Sequence, residues 1–444
     1  PAEFIPLAEE FGIITDLETA IRDNDITRIN ELLHQLGKTP FYHSEKPTPL
    51  EEATRLVWYL ENVFFEAVPR VLRRVAKAMG TKEESIDPSD LAHLVQMGFW
   101  PCGDRDGNPH VNTETTLKVA RLLRHAVLRA YREDLRKLRR RLTFKNVDPM
   151  VQNVEEKVRA TMRGESGAYK KADELMAELD AIRALLVEEH DGLFIDRLDD
   201  FRTKVKTFGF HFANLDIRQD SRIHKALFKK LLPQLGLKPA EYEAMPIAEK
   251  LDWLADAHKL LKGPLNPAKI ENAVERDVLE VLREIKTIQK ENGPEGCYRY
   301  IISNCRGAQD VFELLALARM VGHKGNLPFD IVPLFETVDD LAEAPEAMRQ
   351  LYDNKTYKRQ LRARGKRQPI MLGFSDGTKD GGYFQANGSI YRAKEELTRA
   401  SREAGIQVVF FDGRGGPPAR GGGKTHRFYA SLGNAIEGKS LELT

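Results

Sequence analysis

The sequence predicts a predominantly helical α/β chain built around a parallel (β/α)8-type barrel, six of whose eight strands are visible, with extra helices before and between them. Three observations predict it. Between Tyr298 and Phe411 short apolar runs alternate with helical stretches, the pattern of a parallel sheet with crossover helices. Those runs, and two earlier ones, end in polar or charged residues, and in parallel barrels the C-terminal strand ends converge on one face. Finally, 444 residues are enough for a large core, and no tandem repeat or low-complexity linker divides them. One domain over residues 1–444 is expected, mainly helical over 1–96 and strand-bearing with interleaved helices over 97–444.

Taken in order, Leu17, Ile21, Ile26, Ile29, Leu32 and Leu33 recur at helical spacing and predict one helix from about Asp16 to Leu36. Thr48-Pro49 followed by Glu51 and Glu52 reads as a helix start. That helix carries Trp58, Phe64, Phe65 and Val68 towards Met79, with Pro69 as its expected kink. The apolar run Met97 to Trp100 is strand-like and leads into a polar turn with Asp104, Arg105 and Asp106. Thr113 is the expected cap of a long helix whose buried stripe runs from Leu117 to Leu142. Its other face is basic, but Glu133 and Asp134 interrupt it and no aromatic residue lies there for stacking, so it reads as a solvated surface and not an RNA contact. Phe210, Phe212 and Leu215 suggest a second strand, ending in Asp216 and Arg218. Helices fill most of 222 to 292. Strands at Tyr298 to Ser303, Phe329 to Phe335, Ile370 to Phe374 and Ile406 to Phe411 then alternate with helices at Asp310 to Val321, Asp339 to Leu351 and Tyr383 to Ala404.

Charge balance excludes the broad electrostatic binders: Lys plus Arg total 68 against 67 for Asp plus Glu, which gives no global drive towards nucleic acid or a membrane surface. Cys102, Cys297 and Cys305 are odd in number and form no C-x-x-C pair, which favours a reducing compartment over a disulfide frame or a zinc site. No apolar run approaches the roughly 20 residues of a membrane span, and the start lacks a signal-peptide pattern, so a soluble, cytoplasmic protein is expected.

The chemistry concentrates between Pro369 and His426. The stretch from Gly413 to Gly423 is mostly glycine, with Arg414 and Arg420 among them. Glycine lets backbone N–H groups approach a ligand, and arginine offers a planar fork for phosphate or carboxylate oxygens. Alone, such a segment suits a flexible tail or a nucleic-acid contact as well as it suits an anion site. Upstream, however, Asp376, Lys379 and Asp380 follow another buried-type strand, where carboxylates suit a hard cation. Neither the P-loop nor the dinucleotide glycine spacing is present. Collected over the strand ends, Asp104, Arg105, Arg218, Ser303, Asn304, Glu336, Asp376, Lys379, Arg414 and Arg420 form a set with carboxylates, arginines and one lysine. It suits a divalent cation with a small phosphorylated anion.

The ordered motifs GDRDGNP, LDIRQDSR, PLFETVDDL, SDGTKDGG and GRGGPPARGGGKTH resemble the phosphoenolpyruvate carboxylases, and the likeness covers nearly the whole chain. The resemblance implies a helical fold around an eight-stranded barrel, and a lyase that fixes carbon dioxide by converting phosphoenolpyruvate and bicarbonate to oxaloacetate and phosphate, replenishing the tricarboxylic acid cycle. It implies Mg²⁺ or Mn²⁺ on Glu336 and Asp376. Arg218, Arg414 and Arg420 would grip the phosphate and bicarbonate groups, and Lys379 would stand nearby, with Arg218, Lys379 and Arg414 as the catalytic set. Leu334 and Phe65 would line an apolar pocket beside the substrate methylene, and Asp104, Arg105 and Asp106 would support the site. Bicarbonate would attack the phosphoryl group to give carboxyphosphate and pyruvate enolate, and carbon dioxide would then be captured at carbon. Family members are generally tetrameric, with no nucleic-acid or membrane partner.

Departures from the family pattern set further expectations. The family's histidine-bearing threonine-alanine-histidine-proline-threonine motif has only Pro1-Ala2-Glu3-Phe4 as its nearest counterpart. The first and eighth strands are expected to lie before Pro1 and after Thr444, so that the chain alone would be inactive, or a non-catalytic metal- and phosphate-binding remnant or scaffold. Asp412 stands where the family often has histidine, and a carboxylate there would weaken phosphate binding unless it is paired or faces away.

Overall fold

In place of the single first helix there are two, α1 (Ile13–Arg22) and α2 (Ile26–Lys38). Asn24 takes a left-handed φ of 57°, and the Asp25 carboxylate accepts the Arg28 N–H at 3.0 Å, restarting the helix. The computed structural model describes residues 12–40, 47–80, 86–413 and 425–443, excepting the side chains of 375–378 and 380. Helix α3 (Pro49–Tyr59) starts as expected, with Thr48 and Glu51 bonding reciprocally in a capping box. A π turn at Leu60–Phe64 joins it to α4 (Phe65–Met79), so the irregularity falls before Pro69, which lies inside α4.

After β1 (Gly98–Phe99) comes α5 (Thr113–Arg139). Its cap is Asn112, one residue earlier than expected, because Thr113 is committed elsewhere: its hydroxyl and N–H both donate to Asp277. Helices α6 (Val147–Arg163), α7 (Ala172–Glu189) and α8 (Ile195–Phe208) follow. Phe210 and Phe212 are buried but not in a strand; Phe212 has φ 63°, incompatible with extended backbone, and pairing begins at β2 (Asn214–Leu215) and continues in β3 (Ile217–Asp220). Next are α9 (Ser221–Leu231), α10 (Pro239–Ala244), α11 (Ile247–Asp256) and α12 (Ala273–Asn292).

The alternating part follows the prediction, with one further helix, α15, that was not predicted: β4 (Arg299–Ser303), α13 (Ala308–Met320), β5 (Asp330–Phe335), α14 (Val338–Asp353), α15 (Lys355–Ala363), β6 (Arg367–Gly373), α16 (Ser375–Glu403) and β7 (Gln407–Gly413). Two corrections apply. SDGTKDGG is not a free turn but the opening of α16, which is interrupted at Gly382 (φ 77°). And after α17 (Thr425–Ala430) a further strand that the sequence did not predict, β8 (Leu441–Leu443), pairs parallel with β7.

Every pairing is parallel: β1 with β2 in one short sheet, and β3-β4-β5-β6-β7-β8 in the other. Strands β4 to β7 are buried on both faces over most of their length, with period-two alternation. Tyr300, Ile302, Ile331, Phe335, Ile370, Leu372, Val408 and Phe410 join the large core shared with the helices, whereas Ile301, Val332, Leu334, Met371 and Phe411 form a separate cluster with Trp100. The sheet curls around that second cluster. Trp100, just past β1, meets Phe411 of β7 edge to face at 6.4 Å, and the Arg299 guanidinium of β4 lies 5.0 Å from the same Phe411 ring. No helix among the described residues is long and apolar enough to cross a membrane.

Arg299 is the buried hub of this curl. It donates to both oxygens of Asp216, at 2.7 and 3.0 Å, and also to Glu442 of β8. Burial nevertheless pushes the Asp216 carboxyl up to about 6, with Arg299 opposing the shift. Replacing Arg299 by Met strands two carboxylates in a low-dielectric interior and is expected to cost roughly 3–5 kcal/mol at pH 7. Because loss of the opposing Arg299 charge raises the Asp216 carboxyl further above its value in the unfolded chain, the variant gains more from protonation and the deficit should shrink as pH falls. Urea unfolding of Arg299→Met at pH 7 and pH 5 checks both size and sign.

Candidate functional site

The site is assembled from the loop after β1 upward. Gly103 is required there by close approach: a Cβ would sit 1.8 Å from the Asp216 carbonyl oxygen. That contact lets the loop lie flat on β3, where Arg218 N–H donates to Gly103 O at 3.0 Å and Arg105 N–H donates to Arg218 O at 2.9 Å. Asp104 is thereby placed beside the Arg218 side chain and accepts from its Nε at 2.8 Å, with an Asp106 oxygen 3.6 Å from Arg218 Nη2. Arg105 points the other way. Its guanidinium bonds Asp277, Gly103 O and Thr116, pinning the loop to α5 and α12.

Burial works against the charge on Arg218, but Asp104 and then Asp106 and Glu336 outweigh it and hold the guanidinium protonated more firmly than usual. Glu336 follows β5 and accepts the Asn304 N–H at 2.7 Å. Asn304 follows β4 with a left-handed φ of 50°, a conformation asparagine tolerates, and this turns its N–H towards Glu336. Its carbonyl accepts the Ser221 hydroxyl at 2.7 Å, so the ends of β3, β4 and β5 are laced together. Gly373, at the end of β6, packs so closely that a Cβ would lie 3.2 Å from Glu336 Cα and Cγ.

The structure therefore brings Asp104, Asp106, Arg218 and Glu336 to one end of the sheet. Asp376 and Lys379 stand in the opening of α16, directly after β6, with Lys379 exposed. Arg414 and Arg420 lie outside the described residues. Leu334 lies in the inner cluster with Trp100, but Phe65 does not join it. Phe65 is in the helical layer, its ring 5.7 Å from Phe208, 6.0 Å from Tyr131 and 6.1 Å from Phe212, with the Lys204 ammonium 4.2 Å from it. The reason is its place at the start of α4, which packs on α8, with its ring also meeting Tyr131 of α5.

Asp412 resolves the question its sequence raises. Phe411 takes the inner face of β7, so Asp412 points outward to the helices, where it accepts from Lys394 Nζ and Tyr429 Oη, each at 2.8 Å. The carboxylate is both paired and turned away. Trp100 is the residue that sequence reasoning passed over: its indole N–H donates to Asp104 Oδ2 at 2.9 Å, and the Arg218 guanidinium lies 5.1 Å from its ring. Its position four residues before Asp104, at the strand end, was the available signal.

Over residues 13–165 and 149–439 the chain matches the family described as phosphoenolpyruvate carboxylase. The chain belongs to the phosphoenolpyruvate carboxylase family. It is 30% identical over 476 aligned residues to the phosphoenolpyruvate carboxylase of Gloeobacter violaceus, an alignment covering 94% of this chain and 50% of that protein. With the Nocardia farcinica phosphoenolpyruvate carboxylase the identity is 31% over 470 residues, again 94% of this chain and 50% of the relative. The chain thus spans about half the length of the curated relatives it matches.

The Gly103 contact yields a direct test. Gly103→Ala places a methyl group against backbone that cannot swing aside, and should lower stability by roughly 1–3 kcal/mol or more. A urea midpoint unchanged from the parent would show that the loop does not lie on β3 as described.

Proposed function

We propose that this chain carries a phosphoenolpyruvate carboxylase site on a (β/α)8-type barrel, converting phosphoenolpyruvate and bicarbonate to oxaloacetate and phosphate in the cytoplasm. The observation that supports it best is Arg218 clamped by Asp104 and Asp106 beside Glu336 at the C-terminal ends of parallel strands, in a chain of this family. In parallel barrels that end of the sheet is where active sites are built.

The donor set suits a divalent cation. Mg²⁺ keeps several waters and needs only one or two protein carboxylates, and Glu336 with Asp376 would supply them. Among the described residues no cluster of three or more metal-ligating side chains exists. When bound, the ion would offset negative charge on the phosphoryl group and on the enolate oxygen.

The remaining work falls to the chain's own residues. Arg218 is fixed on one side by carboxylates, so its guanidinium is oriented before a ligand arrives, and little ordering cost remains for gripping a phosphoryl oxygen. Arg414 and Arg420 would hold the phosphate and bicarbonate oxygens with planar forks, and Lys379 would add a positive charge nearby. Leu334 supplies apolar surface beside the substrate methylene, which excludes water from a reactive enolate.

Two measurements test this reading. Calorimetric titration with Mn²⁺ should show binding to the parent chain that is lost in Glu336→Ala; equal titrations would remove Glu336 from the metal site. In the chain extended by a relative's flanking segments, oxaloacetate production, followed by coupled reduction to malate, should fall at least ~100-fold in Arg218→Ala, the scale seen when an oriented charge donor is removed from a transition state.

A further inference from the structure

From the sequence the basic face of α5 reads as a solvated surface, yet its last turn borders a cavity. The cavity, of about 360 Å³, lies among three helices: α4 contributes Glu66, the end of α5 and the turn after it contribute Lys137 and Arg141, and α8 contributes Arg197 and Lys204. None of these residues belongs to the set at the strand ends.

The buried side of the cavity is an ion cluster that is already matched. Lys204, about 5% exposed, donates to Asp134 Oδ2 at 2.5 Å and to Glu66 Oε1 at 2.8 Å, and Lys137 donates to the other oxygen of Asp134 at 3.0 Å. Asp200, the remaining acidic residue of the lining, accepts from Arg73. Every carboxylate of the cavity is thus engaged by a cation, and buried pairs of this kind are costly to break. Arg141 and Arg197 differ. Both are exposed, and neither forms an ion pair with a described residue. The positive charge of two guanidiniums is therefore not offset within the cavity.

A guanidinium presents a planar fork that matches carboxylate and phosphate oxygens. Leu138 and Phe201, about 6% and 1% exposed, add apolar wall to the same cavity. A single inorganic anion would leave that wall unused, and the volume is at the lower end of the range for small-molecule sites. We propose that this cavity is a second anion site, which takes a small carbon-chain molecule with two oxyanion groups, carboxylate or phosphate, one for each guanidinium. The chain between the groups would lie on Leu138 and Phe201. The assignment does not depend on what the strand-end site binds.

The experiment uses the 444-residue chain carrying Arg218→Leu, which removes the arginine of the strand-end site, and titrates it by calorimetry with 3-phosphoglycerate, succinate and inorganic phosphate in the absence of divalent metal. Saturable one-site binding of a two-headed anion is expected. Adding Arg141→Gln or Arg197→Gln should weaken it about 10-fold or more, the scale of a lost charge-assisted hydrogen bond. Both side chains are exposed, so urea midpoints should stay near that of the Arg218→Leu chain, and weaker binding then reports the site and not the fold. Tighter binding of 3-phosphoglycerate than of succinate assigns a phosphate to one guanidinium, and the reverse order assigns two carboxylates; either supports the site. The proposal is overturned if neither two-headed anion binds, if inorganic phosphate binds as tightly as they do, or if both arginine variants bind as tightly as the Arg218→Leu chain.

Discussion

The buried ion cluster of Arg299, Asp216 and Glu442 is the constraint on which the sheet's curvature depends. Arg299 is about 5% exposed and Asp216 about 3%, so neither charge has water to turn to. The two must be matched within the protein, and the second carboxylate comes from β8, at the opposite end of the strand order from the β2–β3 segment. Charge matching of this kind draws the two ends of the sheet towards each other around the apolar cluster of Ile301, Val332, Leu334, Met371 and Phe411. Hydrophobic burial alone is non-directional. The ion cluster supplies the register that burial does not.

Upon that curvature the functional end is built by a second, smaller set of polar contacts. Gly103 lets a loop approach β3, Asp104 meets Arg218, and the left-handed Asn304 offers its N–H to Glu336. Arg105 uses its whole fork on structural partners, so two adjacent residues of one motif do opposite things: Asp104 faces the site, and Arg105 anchors the loop to the helices. The loop's bridge to β3 at Arg218 divides these neighbouring charges between opposite sides.

The legible parts of the sequence were those with a strong period or a repeated chemical grammar. Strands β4 to β7 stood out because apolar runs buried on both faces are bracketed by helices of recognisable period, and Asp104, Arg218 and Glu336 stood out as charges just past such runs. The misses have local causes. Strand β8 is three residues long with a glutamate in its centre, and the partner of that glutamate, Arg299, is far off in sequence. Phe212 alternates as a strand residue should, but its backbone φ is positive. Phe65 was assigned to the substrate pocket by likeness of motif, whereas the aromatic ring packs with Tyr131, Phe208 and Phe212. Trp100 looked like core because its polar atom is a single N–H whose acceptor is visible only in three dimensions.

The outward-facing Asp412 carries a consequence for how this protein can change. Lys394 is about 1% exposed and Asp412 fully buried, and Tyr429 bonds the same carboxylate oxygen as the lysine. A neutral or cationic side chain at 412 would leave an ammonium ion enclosed with no carboxylate beside it, a state costly enough to be selected against. Positions 394, 412 and 429 are therefore a compensating set, open to concerted exchange and closed to stepwise drift. The identity of residue 412 is governed by the helical shell behind the strand, and the chemistry on the strand's inner side can evolve independently of it.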